Sequence, residues 1–188
     1  MRIESLEQSD AVLVEAAQQG RLDSFGALYQ WYHNPIVALA YAQLGDKHSA
    51  EDAAQEVFAI ACRDLRSLRD RDKFGAWLGG ICRNVTKQML RVKTRTAPLP
   101  GRDATSCVST DEPEQEEQWD AVRKAVWKLP ETERELVVMR YFNGFSQARI
   151  SQVLDITPAA VNGRLTRAKR RIAQLLERDG FGSESWDA

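Results

Sequence analysis

Hydrophobic residues recur at helical spacing along most of the chain, whereas period-2 runs of β-branched residues are scarce. Residues 10–19 predict a short amphipathic helix. A second helix is expected to be capped by Asp23 or Ser24, and Pro35 is expected to open a third helix that runs to Leu44. The pattern predicts an all-α protein.

The clearest pattern lies in the C-terminal third, where two helices, a tight turn and a longer basic helix follow one another. Pro130 suits the first turn of a helix, and Thr157 and Pro158 predict the cap and first residue of the last helix. The apolar positions expected to face the core of the first two helices are Leu136, Val137, Met139, Tyr141, Ala148, Ile150, Val153 and Leu154. With Ser146 as the cap of the middle helix, this is the outline of a helix-turn-helix.

At about 100° per residue, the last helix has an apolar stripe and an opposite polar face. The stripe consists of Val161, Leu165, Ala168, Ile172, Leu175 and Leu176. Residues 141–176 carry six basic groups and one acid, so the opposite face is strongly basic. A basic face on the second helix of a helix-turn-helix fits the DNA major groove, and the alternative is a solvated basic helix in an ordinary bundle.

A further helix is predicted from Ser49, which can form a capping-box-like pair with Asp52. Beside a broad apolar face it has an acidic, amide-bearing face that includes Asp52, Gln55 and Glu56. From the residues alone, this face either complements the helix dipole and solubilises the surface, or contacts a partner.

The next block combines a charged connector, residues 66–73, with a basic helix over residues 74–91. Phe74 and Trp77 lie in its apolar stripe, and its other faces carry Arg83, Asn84, Lys87, Gln88 and Arg91. Aromatic residues beside a basic helix and a flexible loop suit single-stranded nucleic acid, which needs stacking and phosphate neutralisation. The alternative is that Phe74 and Trp77 are buried packing residues.

Charge is strongly segregated, although the net charge is only −1. Residues 1–60 carry three bases and nine acids, residues 61–95 ten bases and three acids, and residues 96–120 one base and seven acids. Two basic blocks separated by an acidic one suggest two nucleic-acid surfaces. The Pro-, Ser- and acid-rich stretch 96–118 predicts a flexible linker between two small domains.

The sequence contains no catalytic or metal-binding pattern. Cys62, Cys82 and Cys107 form no CxxC pair, and His33 and His48 are not at ligand spacing, which indicates reduced cysteines in a cytosolic protein. No apolar run approaches the ~20 residues of a membrane span, and the N-terminus lacks a signal-peptide pattern. We therefore expect no enzyme activity, no cofactor, no metal, no membrane insertion and a cytoplasmic location.

Three segments together resemble the sigma-70 superfamily of bacterial transcription initiation factors, specifically its short extracytoplasmic-function group. They are GDKHSAEDAAQEVFAIACRDL, FGAWLGGICRNVTKQMLR and LPETERELVVMRYFNGFSQARISQVLDITPAAVNGRLTRAKRRI, in the family's order and spacing. The resemblance runs from about Asp10 to Leu176. It implies a region-2 domain over residues 1–95, a linker over 96–118, a region-4 domain over 119–178 and a tail over 179–188.

The resemblance also implies three sets of site residues. Those for the β′ clamp helices of core RNA polymerase are Asp52, Gln55, Glu56, Val57 and Phe58. Those for the melted promoter −10 element are Arg71, Lys73, Phe74, Arg83, Asn84, Lys87, Gln88 and Arg91. Those for the −35 duplex are Asn162, Gly163, Arg164, Thr166, Arg167 and Arg170. The implied partners are core RNA polymerase (β′ clamp helices and β flap), promoter DNA and an anti-sigma factor.

Gly163 departs from the family, which often has a serine at this position. A glycine there either allows the backbone to approach DNA closely or makes no base contact. Besides a promoter-specificity factor, two hypotheses stay open: a stand-alone helix-turn-helix regulator, and an interaction protein whose basic helices bind an acidic partner. We predict two small helical bundles joined by a flexible linker, with the helix-turn-helix in the C-terminal bundle.

Overall fold

The computed structural model describes residues 9–96 and 113–181, and within these ranges all regular structure is helical. The helices are α1 (Asp10–Gln18), α2 (Leu22–Leu44), α3 (Lys47–Asp64), α4 (Phe74–Thr96), α5 (Pro113–Trp127), α6 (Glu131–Val137), α7 (Gln147–Leu154) and α8 (Pro158–Arg178). Two short 3-10 turns, Leu65–Ser67 and Arg71–Lys73, join α3 to α4. The predicted all-α class is confirmed.

Helices α1 to α4 form an N-terminal bundle, and α5 to α8 form a C-terminal bundle. The first is organised around α2, whose Leu28, Ile36 and Leu39 are fully buried. In α3, small residues such as Ala50 and Ala53 are also fully buried, which lets that helix approach its neighbours closely. The predicted pair of bundles is confirmed, but the two also share one continuous hydrophobic core.

The prediction that Pro35 opens a separate helix was wrong, because α2 runs without interruption through it. Buried side chains lie on both sides of the proline, Tyr32 before it and Ile36 after it, so packing holds the helix together. Proline has no backbone N–H, so the carbonyl of Trp31 lacks the helical hydrogen bond that it would otherwise accept from residue 35. Arg149 of α7 donates a hydrogen bond to that carbonyl instead.

The predicted capping pair of Ser49 and Asp52 was also wrong. Helix α3 begins at Lys47, and the side chain of Asp46 accepts a hydrogen bond from the backbone N–H of Ser49 at 2.8 Å. This bond favours the charged carboxylate and holds the pKa of Asp46 below its usual value. The Ser49 hydroxyl accepts a hydrogen bond from Lys93 Nζ at 2.9 Å, which ties the start of α3 to α4.

The helix-turn-helix has the predicted caps. Ser146 accepts a hydrogen bond from the N–H of Arg149, Thr157 accepts one from the N–H of Ala160, and Pro158 opens α8. The predicted α8 stripe faces inward, with four residues buried and two half-buried; these are Val161, Leu165, Ala168 and Leu176, then Ile172 and Leu175.

Two residues predicted to lie in the C-terminal core are exposed. Tyr141 belongs to a π-helical segment, Val138–Phe142, that continues α6 and ends with a bond from Asn143 N–H to the Val138 carbonyl at 3.2 Å. This wider turn moves later side chains off the apolar stripe. Ala148 is exposed because it lies about 200° around α7 from the buried Ile150.

The structure shortens the predicted linker. Helix α4 extends to Thr96, and α5 begins at Pro113, inside the stretch 96–118 that the composition predicted to be flexible. The rest of that linker, including Cys107, and residues 182–188 of the predicted tail lie outside the described residues.

Phe74 offers a direct test of the packing, because its ring is fully buried against Tyr32 with centroids 5.2 Å apart. We expect Phe74→Ala to lower the free energy of unfolding by about 3–5 kcal/mol, since it leaves a large cavity. Chemical denaturation followed by circular dichroism measures this. Leu22→Ala is the control, because Leu22 is 79% exposed, and we expect a change within about 0.5 kcal/mol. Equal effects of the two substitutions would contradict the packing described.

Candidate nucleic-acid interface

The acidic face predicted on α3 is open to solvent. Asp52, Gln55 and Glu56 are exposed on one side of the helix. Val57 is fully buried and Phe58 is 4% exposed, with its ring 4.6 Å from that of Tyr29. In this conformation Val57 and Phe58 cannot touch a partner directly, because they fill the core behind the face. The structure therefore restricts the predicted contact set to the three polar residues.

The residues predicted to bind the −10 strand divide into three groups. Asn84, Lys87, Gln88 and Arg91 are exposed along α4. Phe74 is fully buried, so it acts in packing here and offers no stacking surface. Trp77 is half-buried, with its ring 6.0 Å from that of Phe74. Of the two alternatives left open for these rings, packing holds for Phe74, whereas Trp77 is only partly buried.

The third group consists of Arg71, Lys73 and Arg83, of which the last two lie at the contact between the bundles. Lys73 Nζ is 3.0 Å from Asp155 Oδ1, at the turn of the helix-turn-helix. This exposed pair raises the pKa of Lys73 through its hydrogen bond to the carboxylate. Arg83 Nη2 lies 3.4 Å from Glu135 Oε2 of α6. Arg71 remains within the N-terminal bundle, where it pairs with Glu15 at 3.1 Å.

The polar face of α8 points away from the core. Asn162, Thr166, Arg167 and Arg170 are exposed, whereas Gly163 and Arg164 are half-buried. The Thr166 hydroxyl donates a hydrogen bond to the Asn162 carbonyl at 3.0 Å, so it already has a partner within the helix. Four of the six residues predicted to meet the −35 duplex are thus exposed, as the helical periodicity indicated, and the other two are partly accessible.

The C-terminal bundle also has an open apolar groove of about 750 Å³ between α5, the π segment and α8. Large hydrophobic side chains stand exposed at its edge, namely Trp119, Tyr141 and Phe142. Sequence reasoning missed this groove because it placed Tyr141 in the core. The sequence feature that could have indicated this groove is the adjacent pair Tyr141 and Phe142, which follows an apolar stripe that is already complete.

Sequence reasoning also missed the polar contacts between the bundles. Gln43 Nε2 donates to Glu135 Oε1 of the C-terminal bundle at 2.7 Å, and within the N-terminal bundle the Thr86 hydroxyl donates to Gln43 Oε1. All three side chains are almost fully buried. Nearby, burial raises the pKa of the Cys82 thiol to about 12, so this cysteine is an unreactive core residue. Nothing in the local sequence identifies partners that lie so far apart along the chain.

Neither a metal site nor a membrane span was found in the part of the chain that the structure covers. Within residues 9–96 and 113–181, no group of three or more His, Cys, Asp and Glu residues could hold a metal ion. None of the helices there is both long and apolar enough to cross a membrane.

Comparison with known protein families finds a matching family model for each of the two bundles. Residues 28–96 match the family model described as sigma-70 region 2, and residues 119–172 match the model described as sigma-70, region 4. The extracytoplasmic-function sigma factor SigM of Mycobacterium tuberculosis is 32% identical over 176 residues, which cover 90% of this chain and 86% of SigM. The chain belongs to the extracytoplasmic-function group of the sigma-70 family. Sigma factors are transcription initiation factors rather than enzymes, and they bind core RNA polymerase and direct it to promoters.

Solved structures of sigma factors share the fold. CnrH, in a complex with the cytosolic domain of CnrY, is 24% identical with a TM-score of 0.61 and covers 92% of this chain and 99% of CnrH. The sigma factor RpoE, in a complex with the anti-sigma factor NepR from Bartonella quintana, is 22% identical with a TM-score of 0.52. That match covers 82% of this chain and 98% of RpoE.

The open space around Gly163 can be tested by measuring the stability of the protein in the absence of DNA. An added Cβ there meets only Arg167 Nη1, at 3.9 Å, so the position has room for a side chain. We expect Gly163→Ala to raise the free energy of unfolding by up to about 1 kcal/mol, because alanine is the better helix former. Gly144→Ala is the contrasting control: Gly144 has φ +68°, and we expect a loss of about 1–2 kcal/mol. Thermal and urea unfolding measure both, and destabilisation by Gly163→Ala would contradict the open environment.

Proposed function

We propose that this sigma factor holds core RNA polymerase through the acidic face of α3, holds the −35 duplex with α8 and stabilises the melted −10 strand with α4. One observation carries the proposal. This chain matches sigma-70 regions 2 and 4, and it exposes an acidic face on α3 in the N-terminal bundle and a basic face on α8 in the C-terminal bundle. The region-2 function is assigned to residues 1–95 and the region-4 function to residues 119–178. Helix α5 begins before the second range, at Pro113.

The polymerase contact is assigned to Asp52, Gln55 and Glu56. They are exposed on one side of a helix that the buried alanines and Val57 fix in the core, so the face is rigid. Two carboxylates and an amide complement a basic surface on a partner. Such charge complementarity speeds the association of the two proteins and disfavours wrong partners. Val57 and Phe58 support this face from behind.

Strand binding is assigned to the exposed side of α4, with Asn84, Lys87, Gln88 and Arg91. Amide groups can hydrogen-bond to the edges of unstacked bases, and cations neutralise the backbone phosphates of the strand. Lys73 and Arg83 extend this basic surface when they are not paired with the C-terminal bundle. Phe74 lies in the core, so no stacking role is assigned to it.

Duplex binding is assigned to Asn162, Gly163, Arg164, Thr166, Arg167 and Arg170 of α8. Asn162, Thr166, Arg167 and Arg170 are exposed on the second helix of a helix-turn-helix, which suits insertion of this helix into the major groove. The arginines supply phosphate or guanine contacts, and the methyl group of Thr166 can meet a thymine methyl.

Two further contacts are proposed for the C-terminal bundle and the whole chain. The apolar groove beside Trp119, Tyr141 and Phe142 is assigned to a helix of the β flap of core polymerase, because an exposed apolar groove of this kind accepts the apolar face of a helix. An anti-sigma factor is an expected regulatory partner, since the related fold of RpoE was solved with NepR.

The polymerase contact can be tested by charge reversal. The wild-type chain is expected to bind core polymerase and to direct initiation at discrete promoters on genomic DNA. Asp52→Arg with Glu56→Arg is expected to weaken core binding by at least about tenfold, because like charges then oppose each other. Quantitative pull-down and sequencing of transcript 5′ ends measure the two effects.

The matched control reverses two exposed acids elsewhere, Asp23→Arg with Glu131→Arg. It is expected to leave core binding near the wild-type level. Unchanged affinity in the α3 variant would refute the role given to that face, and a wild-type chain that neither binds core nor directs initiation would refute the proposal as a whole.

The DNA contact can be tested through its salt dependence. We expect Arg167→Ala to weaken binding to a fluorescent duplex and to lower the slope of log K against log salt by about one, because one phosphate contact is lost. Anisotropy titrations at several KCl concentrations measure this. Arg178→Ala removes an exposed arginine at the end of α8 and should change the slope less. An equal slope for Arg167→Ala and the wild type would contradict the placement of Arg167 against phosphate.

A further inference from the structure

We propose that the 182–188 segment of this chain docks in the apolar groove of the C-terminal bundle and competes there with the β flap of core polymerase. The groove is the one beside Trp119, Tyr141 and Phe142. The competition rests on the role proposed above for this groove, whereas the docking itself does not. Both partners in the docking, the groove and the segment, belong to the C-terminal part of the chain.

The end of α8 directs the chain back toward the groove. Gly180 has φ +90° and donates its N–H to the Glu177 carbonyl at 3.2 Å, and the N–H of Phe181 donates to the Leu176 carbonyl at 2.9 Å. This pair of bonds is the Schellman ending of a helix, which reverses the chain and packs the next apolar residue against the last turns. The side chain of Phe181 accordingly lines the groove and packs on a small apolar cluster between α5 and α8. The 182–188 segment therefore starts at one end of the groove.

The segment is long enough to follow the groove. Lys169 and Glu177 both line the groove, and the stretch of α8 between them rises about 12 Å at 1.5 Å per residue. The chain from Phe181 to Trp186 can extend to roughly 17 Å. Ala173, halfway along this stretch of α8, is exposed and leaves the groove without a large side chain at that point. The indole of Trp186 can therefore reach any position along the lining of α8.

The segment also has the chemistry that the groove accepts. Trp186 is its one large apolar residue, and Glu184 and Asp187 are its only charged residues. An indole in the groove removes apolar surface from water on both sides of the contact. The Lys169 amine lies at the edge of the groove, 5.3 Å from the centre of the Tyr141 ring, where it can meet one of the two carboxylates.

The covalent connection favours this occupant over a second copy of the chain. A short link holds a binding segment at an effective concentration on the order of millimolar, far above the concentration of the free protein in an assay. A weak contact is therefore sufficient to fill the groove in most of the free chains. The apparent affinity for the flap then falls in proportion to the fraction of chains in which the groove is empty.

Zero-length cross-linking of the full chain with a carbodiimide tests the docking. The reagent joins a lysine amine to an adjacent carboxylate as an amide, and it takes up the lost water and leaves as a urea. Docking brings Glu184 and Asp187 to Lys169. Lys128 is the matched comparison, because it pairs with Asp179 at 3.0 Å and so lies beside the start of the segment instead of along the groove. Mass spectrometry of the monomeric band measures the ratio of Lys169 to Lys128 cross-links.

We expect this ratio to be at least about five in the free wild-type chain and to fall when core polymerase is added. Trp186→Ser should bring the ratio close to one and tighten core binding by about three- to tenfold, because the groove is then empty. Trp186→Phe keeps an apolar ring and should retain most of the ratio. Ser183→Ala is the control within the segment and should change neither the ratio nor the affinity. Quantitative pull-down measures core binding.

Three results would overturn the inference. They are equal cross-linking of the two lysines in the wild-type chain, a ratio that Trp186→Ser leaves unchanged, and a lost ratio with unchanged core affinity. Lys169 cross-links that join two chains instead of one would assign the groove to a second copy and would also overturn it. Failure of the wild-type chain to bind core is a separate result: it removes the proposed function and the competition, while the cross-linking ratio still decides whether the segment docks.

Discussion

The arrangement of the two bundles depends on backbone carbonyls that α2 cannot pair within itself. A buried carbonyl without a donor costs about 1–3 kcal/mol, so each one constrains what packs against it. The proline at position 35 frees one carbonyl, and the end of the helix frees another. Arg149 and Arg134 supply the donors from the C-terminal bundle. Hydrogen-bond satisfaction of one helix thereby sets the position of a second bundle.

This constraint divides the surface of the sigma factor into two parts. The α3 face, the polar side of α8 and the apolar groove point outward, whereas parts of α4 and α7 face each other across the shared core. Under the roles we propose, the α3 face and the groove are open to polymerase and the polar side of α8 is open to DNA. Lys73 and Arg83 are instead engaged in contacts between the bundles.

Local rules succeeded where one element determines the outcome. The caps Ser146 and Thr157, Pro158 at the start of α8 and the inward stripe of that helix follow from short-range geometry and were predicted. The local rules failed at Pro35, where packing on both sides of the proline outweighed the loss of one helical hydrogen bond. They also failed at Tyr141, where a π turn changed the helical register. The exposure of Asp52 and Asn162 was predictable from helical phase. The burial of Phe74 was only one of two alternatives from the sequence, and its contact with the ring of Tyr32 decides between them.

The sequence alone determined the all-α class, the helix-turn-helix, the segregation of charge and the membership of the sigma-70 family, because each rests on local periodicity or on matches of whole segments. Only the tertiary structure decided that Val57, Phe58 and Phe74 are too deeply buried to touch a partner and that Lys73 and Arg83 have partners in the other bundle. The physical reason is distance along the chain. No sequence pattern links Gln43 to Glu135, or Trp31 to Arg149. Only folding brings each acceptor beside its donor.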